Sequence, residues 1–186
     1  MTLTPAETVA AIVDTNRRIA DFWGRAHGWA PIDAAQLLSA ARLDWQVELS
    51  RMLGTWLQPP DAETANAGLI LAWANLGALV EGTMKWFLSV YYNDYERDVE
   101  ALRDRLGDIR APDSLSLEPL REFYKRSIWD RDSNHWDAWV LHIQQRRNAI
   151  HAFRDRDLGD HDEFVGDVST YWDFLREHDA SVPYPD

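Results

Sequence analysis

Apolar side chains recur every three to four residues along most of this 186-residue chain, a spacing that places them on one face of an α-helix. No segment alternates between apolar and polar positions as hairpin strands do, and no longer repeat is apparent. The pattern therefore predicts an all-α fold. We expect a helical bundle formed by a single domain over residues 1–186, in which 184–186 are a loose tail.

About five main helices are predicted, each with an apolar stripe and each bounded by capping or helix-breaking residues. In chain order they cover residues 4–24, 33–58, 61–92, 133–153 and 160 to beyond 175, with two shorter helices at 94–106 and 117–128. Thr4 with Glu7 forms a capping box at the start of the first. Ser133 is the expected N-cap of the fourth, and Asp160 with Glu163 that of the last.

The third predicted helix is apolar almost all round, so we expect it at the centre of the bundle. Its polar residues Asn75, Glu81 and Lys85 argue against a membrane span, because each would lie in hydrocarbon at considerable cost. The second predicted helix carries one apolar stripe instead, and that stripe includes Trp45 and Met52. We expect both of these side chains in the core.

The chain is acidic, with 31 Asp and Glu against 19 Lys and Arg and a net charge of −12. This charge disfavours non-specific adhesion to nucleic acid or to an anionic membrane. Residues 140–156 nevertheless hold four Arg and one Asp, whereas 157–186 hold nine acids and one Arg, so a basic segment is surrounded by acid. The absence of cysteine excludes disulfides, thiolate nucleophiles and Cys-ligated zinc. With no signal peptide apparent, we expect a cytoplasmic protein.

Ten tryptophans and six histidines are candidate functional residues by type, but their spacing favours structural roles. The tryptophans occur with Leu, Ile and Val at helical spacing, which is typical of a hydrophobic core rather than of a platform for stacking bases. His135 with His142, and His161 with Glu163, do not match the spacing of a metal motif such as HExxH. We therefore expect neither a cofactor nor a metal site.

One charged residue interrupts an apolar helix face. In the helix predicted over 133–153, Arg147 falls in line with Trp136, Val140 and Ile143. An unpaired buried charge is costly, so we expect this guanidinium to be paired, or to line a cleft or a subunit interface.

Arg146, Arg147, Asn148 and His151 together form a candidate site for an anion. Arg147 and His151 are four residues apart, so on a helix their side chains reach the same place, and Asn148 lies one turn from His151. These residue types suit a phosphate, which Arg binds through bidentate hydrogen bonds while His moves protons near neutral pH.

Structural interpretations of the same residues stay open. His151 can bond the last carbonyls of its helix and interact with the negative end of the helix dipole. Arg146 and Arg147 can form ion pairs with Glu81 or with the acids of 157–173.

A resemblance to a known family is carried by the segment Gln145-Arg146-Arg147-Asn148-Ala149-Ile150-His151-Ala152-Phe153. It resembles the signature of the HEPN superfamily (higher eukaryotes and prokaryotes nucleotide-binding): Arg, four to six residues, then His, usually with a polar residue after the Arg. Arg146 leaves four residues before His151, but Arg147 follows it directly. Arg147 is followed by Asn148 but leaves only three residues, so both arginines are candidates for the motif position. Glu81, on the central helix, matches an acid that some families carry.

The resemblance implies a homodimer in which the two motif helices face each other and, in many family members, a metal-independent endoribonuclease. His151 would take a proton from a ribose 2′-OH or protonate the leaving oxygen, with Arg146 and Arg147 stabilising the transition state and Asn148 assisting. It also implies an RNA or nucleotide substrate, and a toxin or phage-defence component with an antitoxin or other protein partner. The alternatives are a non-catalytic nucleotide-binding or interaction module of the same fold, which the net charge favours, and an acidic mimic of nucleic acid.

Overall fold

A computed structural model of the chain describes residues 3–129, 135–151 and 155–184. Over these residues the chain forms eight α-helices, and its only extended pairing there is an isolated bridge between Arg103 and Ile109. The helices are α1 Pro5–Trp23, α2 Ile32–Ala40, α3 Leu43–Trp56, α4 Ala65–Val90, α5 Tyr92–Arg97, α6 Leu117–Ser127, α7 His135–Arg147 and α8 His161–Ser181. Two 3₁₀ turns lie at Pro112–Ser114 and Asn148–His151. The all-α prediction is confirmed, with more helices than the five main ones expected.

The second predicted helix is in fact two, because the chain becomes extended at Ala41, where ψ is 138°. Arg42 then donates to the Asp44 carboxylate with Nε at 2.9 Å, at the start of α3. The break lets α2 pack on α4 and α5 while α3 packs between α1 and α4. It also turns Trp45 and Met52 outward, so their predicted place in the core is wrong, and the Arg42 guanidinium lies over the Trp45 ring at 4.1 Å.

The helix predicted over 94–106 is also shorter than expected, because it ends at Arg97. The segment that follows is an ordered loop around the Tyr95 hydroxyl, which donates to the Arg110 carbonyl at 2.8 Å and accepts from the Leu102 N–H at 3.1 Å. Gly107 turns this loop at a φ of 93°, which favours glycine. The helix predicted over 117–128 is confirmed as α6.

The central position of α4 is confirmed, because it packs against α2, α3, α7 and α8. Hydrogen bonds join it to neighbouring helices: Asn75 Nδ2 donates to the Leu49 carbonyl at 3.0 Å, and the Met84 carbonyl accepts from the Tyr124 hydroxyl at 2.6 Å. Among the described helices, α4 alone is long and apolar enough to cross a membrane, and 56% of its most apolar window is buried in this fold.

The predicted caps are confirmed where the structure describes them. Thr4 and Glu7 form the capping box of α1, and the Asp160 carboxylate accepts from the Glu163 N–H at 2.8 Å at the start of α8. The predicted cap Ser133 lies outside the described residues. At the other end of the chain, Tyr184 packs against Trp23 with ring centroids 5.8 Å apart.

Most of the tryptophans lie in the core, as their spacing predicted. The buried ones come from α1, α4, the segment just after α6, and α7: Trp23, Trp73, Trp86, Trp129 and Trp136. Trp29, like Trp45, is an exception with a large exposed area.

Candidate functional site

The motif segment lies against the centre of the fold, because α7 and the 3₁₀ turn after it both pack on α4. The α-helix predicted to reach 153 ends at Arg147, and Asn148–His151 tighten into the 3₁₀ turn. Phe153, quoted as part of the family signature, lies outside the described residues. Arg147 therefore lies just before this turn and His151 at its end.

Arg147 is half-buried and forms an ion pair with Glu81 across the α4–α7 contact, with Nη1 2.6 Å from Oε2. The aliphatic part of Arg147 lies directly over Gly77, where a Cβ atom would be only 2.6 Å from Arg147 Cδ. The absence of a side chain at Gly77 therefore allows this close approach. The prediction that Arg147 needs a carboxylate partner is confirmed.

Glu81 is shared by two cations, because Lys85 lies one turn further along α4 with Nζ 2.8 Å from Glu81 Oε1. Burial by itself would raise the pKa of Glu81, but the hydrogen bonds from Lys85 and Arg147 outweigh it and hold the pKa below its usual value. Arg147, Lys85 and Glu81 thus carry a surplus of one positive charge. Sequence reasoning missed Lys85 as a site residue, although its i,i+4 spacing from Glu81 was the available signal.

Arg146 points to the other side of α7 and forms two ion pairs. Its Nη1 is 2.7 Å from Asp157, and its Nη2 is 2.7 Å from Glu163 near the start of α8. Only 11% of its side chain is exposed. Burial would lower the pKa of Arg146, but the bonds to the two carboxylates raise it instead. The predicted pairing with an acid of 157–173 is confirmed, and Arg146 joins the end of α7 to α8.

His151 is exposed at the end of the turn and has no hydrogen bond or ion pair within residues 3–129, 135–151 and 155–184. The structural alternative, in which it bonds the last carbonyls of its helix, is therefore not what these residues show. Asn148 lies half-buried at the start of the same turn. Of the predicted site residues, Glu81 and Arg147 are in contact, Asn148 and His151 share the adjoining turn, and Arg146 is directed elsewhere.

A second polar cluster joins α7 to α8 and was not predicted from the sequence. His142 Nε2 is 2.8 Å from Asp167 Oδ2 and 3.4 Å from Glu163 Oε1, and one ligand atom from each residue lies within 4.8 Å of the other two. In the sequence, His142 was paired with His135, and Glu163 with His161 and with the cap at Asp160. The i,i+4 spacing of Glu163 and Asp167 on α8 was the local signal for this cluster.

The end of α7 and the turn after it bring together a half-buried guanidinium and an ammonium group that share one carboxylate, followed by an imidazole that has no partner in the part of the chain that the structure describes. Such groups bind an oxyanion and exchange protons with it. Searches against protein-family models, curated proteins and solved structures find no match to this chain.

Proposed function

We propose that this chain is a HEPN-like, RNA-directed protein that cleaves RNA without a metal ion, with Arg147 and His151 as the working pair. The observation that carries the proposal is the 3₁₀ turn Asn148–His151, which follows Arg147 directly and ends in an exposed imidazole that has no partner among the described residues. Arg147 precedes this turn and forms a cationic group with Lys85 of α4, the helix on which the turn packs. A phosphodiester seated on that group would bring its 2′-OH and its leaving oxygen toward His151.

The residues present supply the chemistry of internal transesterification. His151 removes the proton from the ribose 2′-OH, which attacks the neighbouring phosphorus, and the 5′-oxygen of the next nucleotide leaves with a proton. Arg147 stabilises the added negative charge on the phosphate, assisted by Lys85. The products are a 2′,3′-cyclic phosphate and a 5′-OH. DNA resists this reaction because it lacks the 2′-OH.

The two arginines have different roles in this proposal. Arg146 already donates to two carboxylates and is almost enclosed, so its role is to hold α7 on α8. Arg147 is 31% exposed and shares its single carboxylate with Lys85, which leaves guanidinium donors for a phosphate. The motif arginine is therefore assigned to Arg147, although only three residues separate it from His151.

A homodimer completes the proposed site. One imidazole cannot act as base and acid in the same step, whereas two copies facing each other supply one His151 for each role. Leu71 on α4 and Ile150 in the 3₁₀ turn are 49% and 46% exposed, and these two elements pack on each other. These exposed apolar side chains are available for a contact between copies.

A second candidate is a non-catalytic interaction module, and one observation favours it. Glu81 already neutralises much of the cationic group, so Arg147 and Lys85 have a stable arrangement that needs no phosphate. In that function the same face binds a partner protein or a nucleotide, and His151 carries no chemistry.

Cleavage rates of single-stranded RNA in EDTA separate these candidates. We expect His151→Ala to lose about 10²–10⁴-fold in rate, the usual contribution of a positioned acid or base, while His27→Ala, at an exposed histidine on another loop, keeps full activity. Arg147→Ala should lose more activity than Arg146→Ala. Equal background rates for wild type and His151→Ala would favour the interaction module. A monomer in light scattering would contradict a site formed by two copies.

A further inference from the structure

His142 on α7 converges with Glu163 and Asp167 on α8. On α7, His142 lies about one turn before Arg146 and Arg147. We propose that these three side chains form a binding site for a divalent transition-metal ion such as Zn²⁺ or Co²⁺. The site is separate from Arg147 and His151, and it does not depend on the proposed RNA cleavage.

The ligand atoms already have nearly the spacing that a metal ion requires. A tetrahedral ion with ligands at about 2.1 Å holds neighbouring ligand atoms about 3.4 Å apart. His142 Nε2 is 2.8 Å from Asp167 Oδ2 and 3.4 Å from Glu163 Oε1, and all three atoms lie within 4.8 Å of one another. Small side-chain rotations therefore suffice to admit the ion.

A hydrogen bond from His142 Nε2 can satisfy only one of the two carboxylates that face it. The Nε2 atom of His142 carries at most one proton, which points at Asp167 over the shorter distance and leaves Glu163 at 3.4 Å. A cation between the three groups contacts all of them. One imidazole with two carboxylates is a donor set that suits Zn²⁺, Co²⁺ or Ni²⁺, whereas Mg²⁺ and Ca²⁺ prefer oxygen ligands alone.

Neighbouring side chains hold these groups in place, as the surroundings of a metal site require. Trp139 Nε1 donates to the other oxygen of Asp167 at 2.7 Å. The Trp73 ring packs edge-on against the His142 ring, with centroids 5.7 Å apart and planes at 89°. Asp167 and His142 are thus oriented by tryptophans that do not compete for the metal.

The charge balance also favours a dication. Asp157 and Glu163 pair with Arg146, and Asp167 contacts His142, so three carboxylates and one guanidinium leave a surplus of two negative charges when His142 is neutral. About one third of the His142 and Glu163 side chains is exposed, so water can reach the ion and complete its coordination. Arg146 Nη2 also contacts Glu163 Oε1, so a metal bound to this oxygen replaces that hydrogen bond, while the ion pair of Arg146 with Asp157 remains.

Titration of the untagged full chain with Co²⁺ tests the proposal, because visible absorption bands report cobalt bound to imidazole and carboxylate in a low-coordinate site. We expect the bands to saturate at one equivalent and to disappear when Zn²⁺ is added. His142→Ala and Asp167→Asn should abolish them, whereas His27→Ala should leave them unchanged. Trp139→Phe, which removes only the supporting donor, should weaken binding about 10- to 100-fold.

The opposite results are equally clear. If wild type gives no cobalt bands, or if His142→Ala binds cobalt as wild type does, the three side chains only contact one another and the proposal is overturned. The same holds if His151→Ala abolishes the bands, because the metal then lies at the motif. RNA cleavage is measured in EDTA, so a failure here and a failure of the proposed function are told apart.

Discussion

Replacing Gly77 by alanine tests whether Arg147 crosses α4 where the structure places it. An added Cβ would lie 2.6 Å from Arg147 Cδ and 2.9 Å from its Cβ and Cγ, which is closer than carbon atoms approach. Arg147 Cβ is attached to the backbone, so rotation of the side chain cannot remove the clash completely. Either α7 moves away from α4, or Arg147 leaves Glu81.

The change in the free energy of unfolding for Gly77→Ala follows from two opposing effects. Alanine in a helix interior is favoured over glycine by about 1 kcal/mol, whereas overpacking costs about 1–3 kcal/mol. Gly166 on α8 provides a matched control, because it is exposed and a Cβ there meets nothing within 4 Å. Gly166→Ala should therefore raise the free energy of unfolding by about 0.5–1 kcal/mol. Gly77→Ala should lie about 1–3 kcal/mol below that control.

Urea unfolding of the two variants measures this difference, and a double-mutant cycle identifies its cause. Removing Cγ and Cδ with Arg147→Ala relieves most of the clash, so Gly77→Ala should cost less in that background, with a coupling of about 0.5–3 kcal/mol. If Gly77→Ala stabilises the protein as much as Gly166→Ala does, Arg147 does not lie over Gly77 and the description of the site is wrong.

Two further predictions concern buried ionisable side chains. His178 is buried, its Nδ1 bonds the Phe174 carbonyl at 2.8 Å, and burial lowers its pKa to about 4. Because the unfolded chain binds the proton at a higher pH than the folded protein, the free energy of unfolding should fall by about 3 kcal/mol as the pH drops from 6.5 to 4. Unfolding of His178→Phe across that range should lack this component, and an unchanged pH profile would contradict the assignment. Arg121, whose side chain is 7% exposed, pairs with Asp137 on α7, which Lys125 also contacts at 2.9 Å. Arg121→Ala should cost about 1–3 kcal/mol, because Lys125 alone then compensates that half-buried carboxylate. Arg176→Ala, which breaks an exposed pair, should cost less than about 0.5 kcal/mol by the same assay, and equal losses would refute the distinction.

Features that depend on neighbouring residues in the chain were predictable. The cap at Thr4 and the cap at Asp160 each need only a side-chain oxygen and an N–H three residues later, so their sequence signatures were sufficient. The central helix was equally clear, because only a helix packed on several sides is apolar nearly all round.

Features that depend on how the helices meet were not predictable in the same way. The break at Ala41 has no Gly or Pro signature, and it follows from the separate packing of α2 and α3, which turns Trp45 outward. At the site, the pairing of Arg147 with Glu81 was foreseen because a buried charge needs a partner. The cluster of His142 with Glu163 and Asp167 was not foreseen, because it exists only where α7 crosses α8.

The most direct test of the proposed function is the chemistry of the RNA ends. Wild-type protein is incubated in EDTA with single-stranded RNAs that cover all dinucleotide steps, and with DNA of the same sequences. The masses of the fragments are measured by mass spectrometry. We expect 2′,3′-cyclic phosphate and 5′-OH ends from RNA, intact DNA, and no such fragments with His151→Ala. Fragments with 3′-OH and 5′-phosphate ends, cleavage of the DNA, or cyclic-phosphate products that persist with His151→Ala would contradict the assignment of His151 and Arg147 as the catalytic pair.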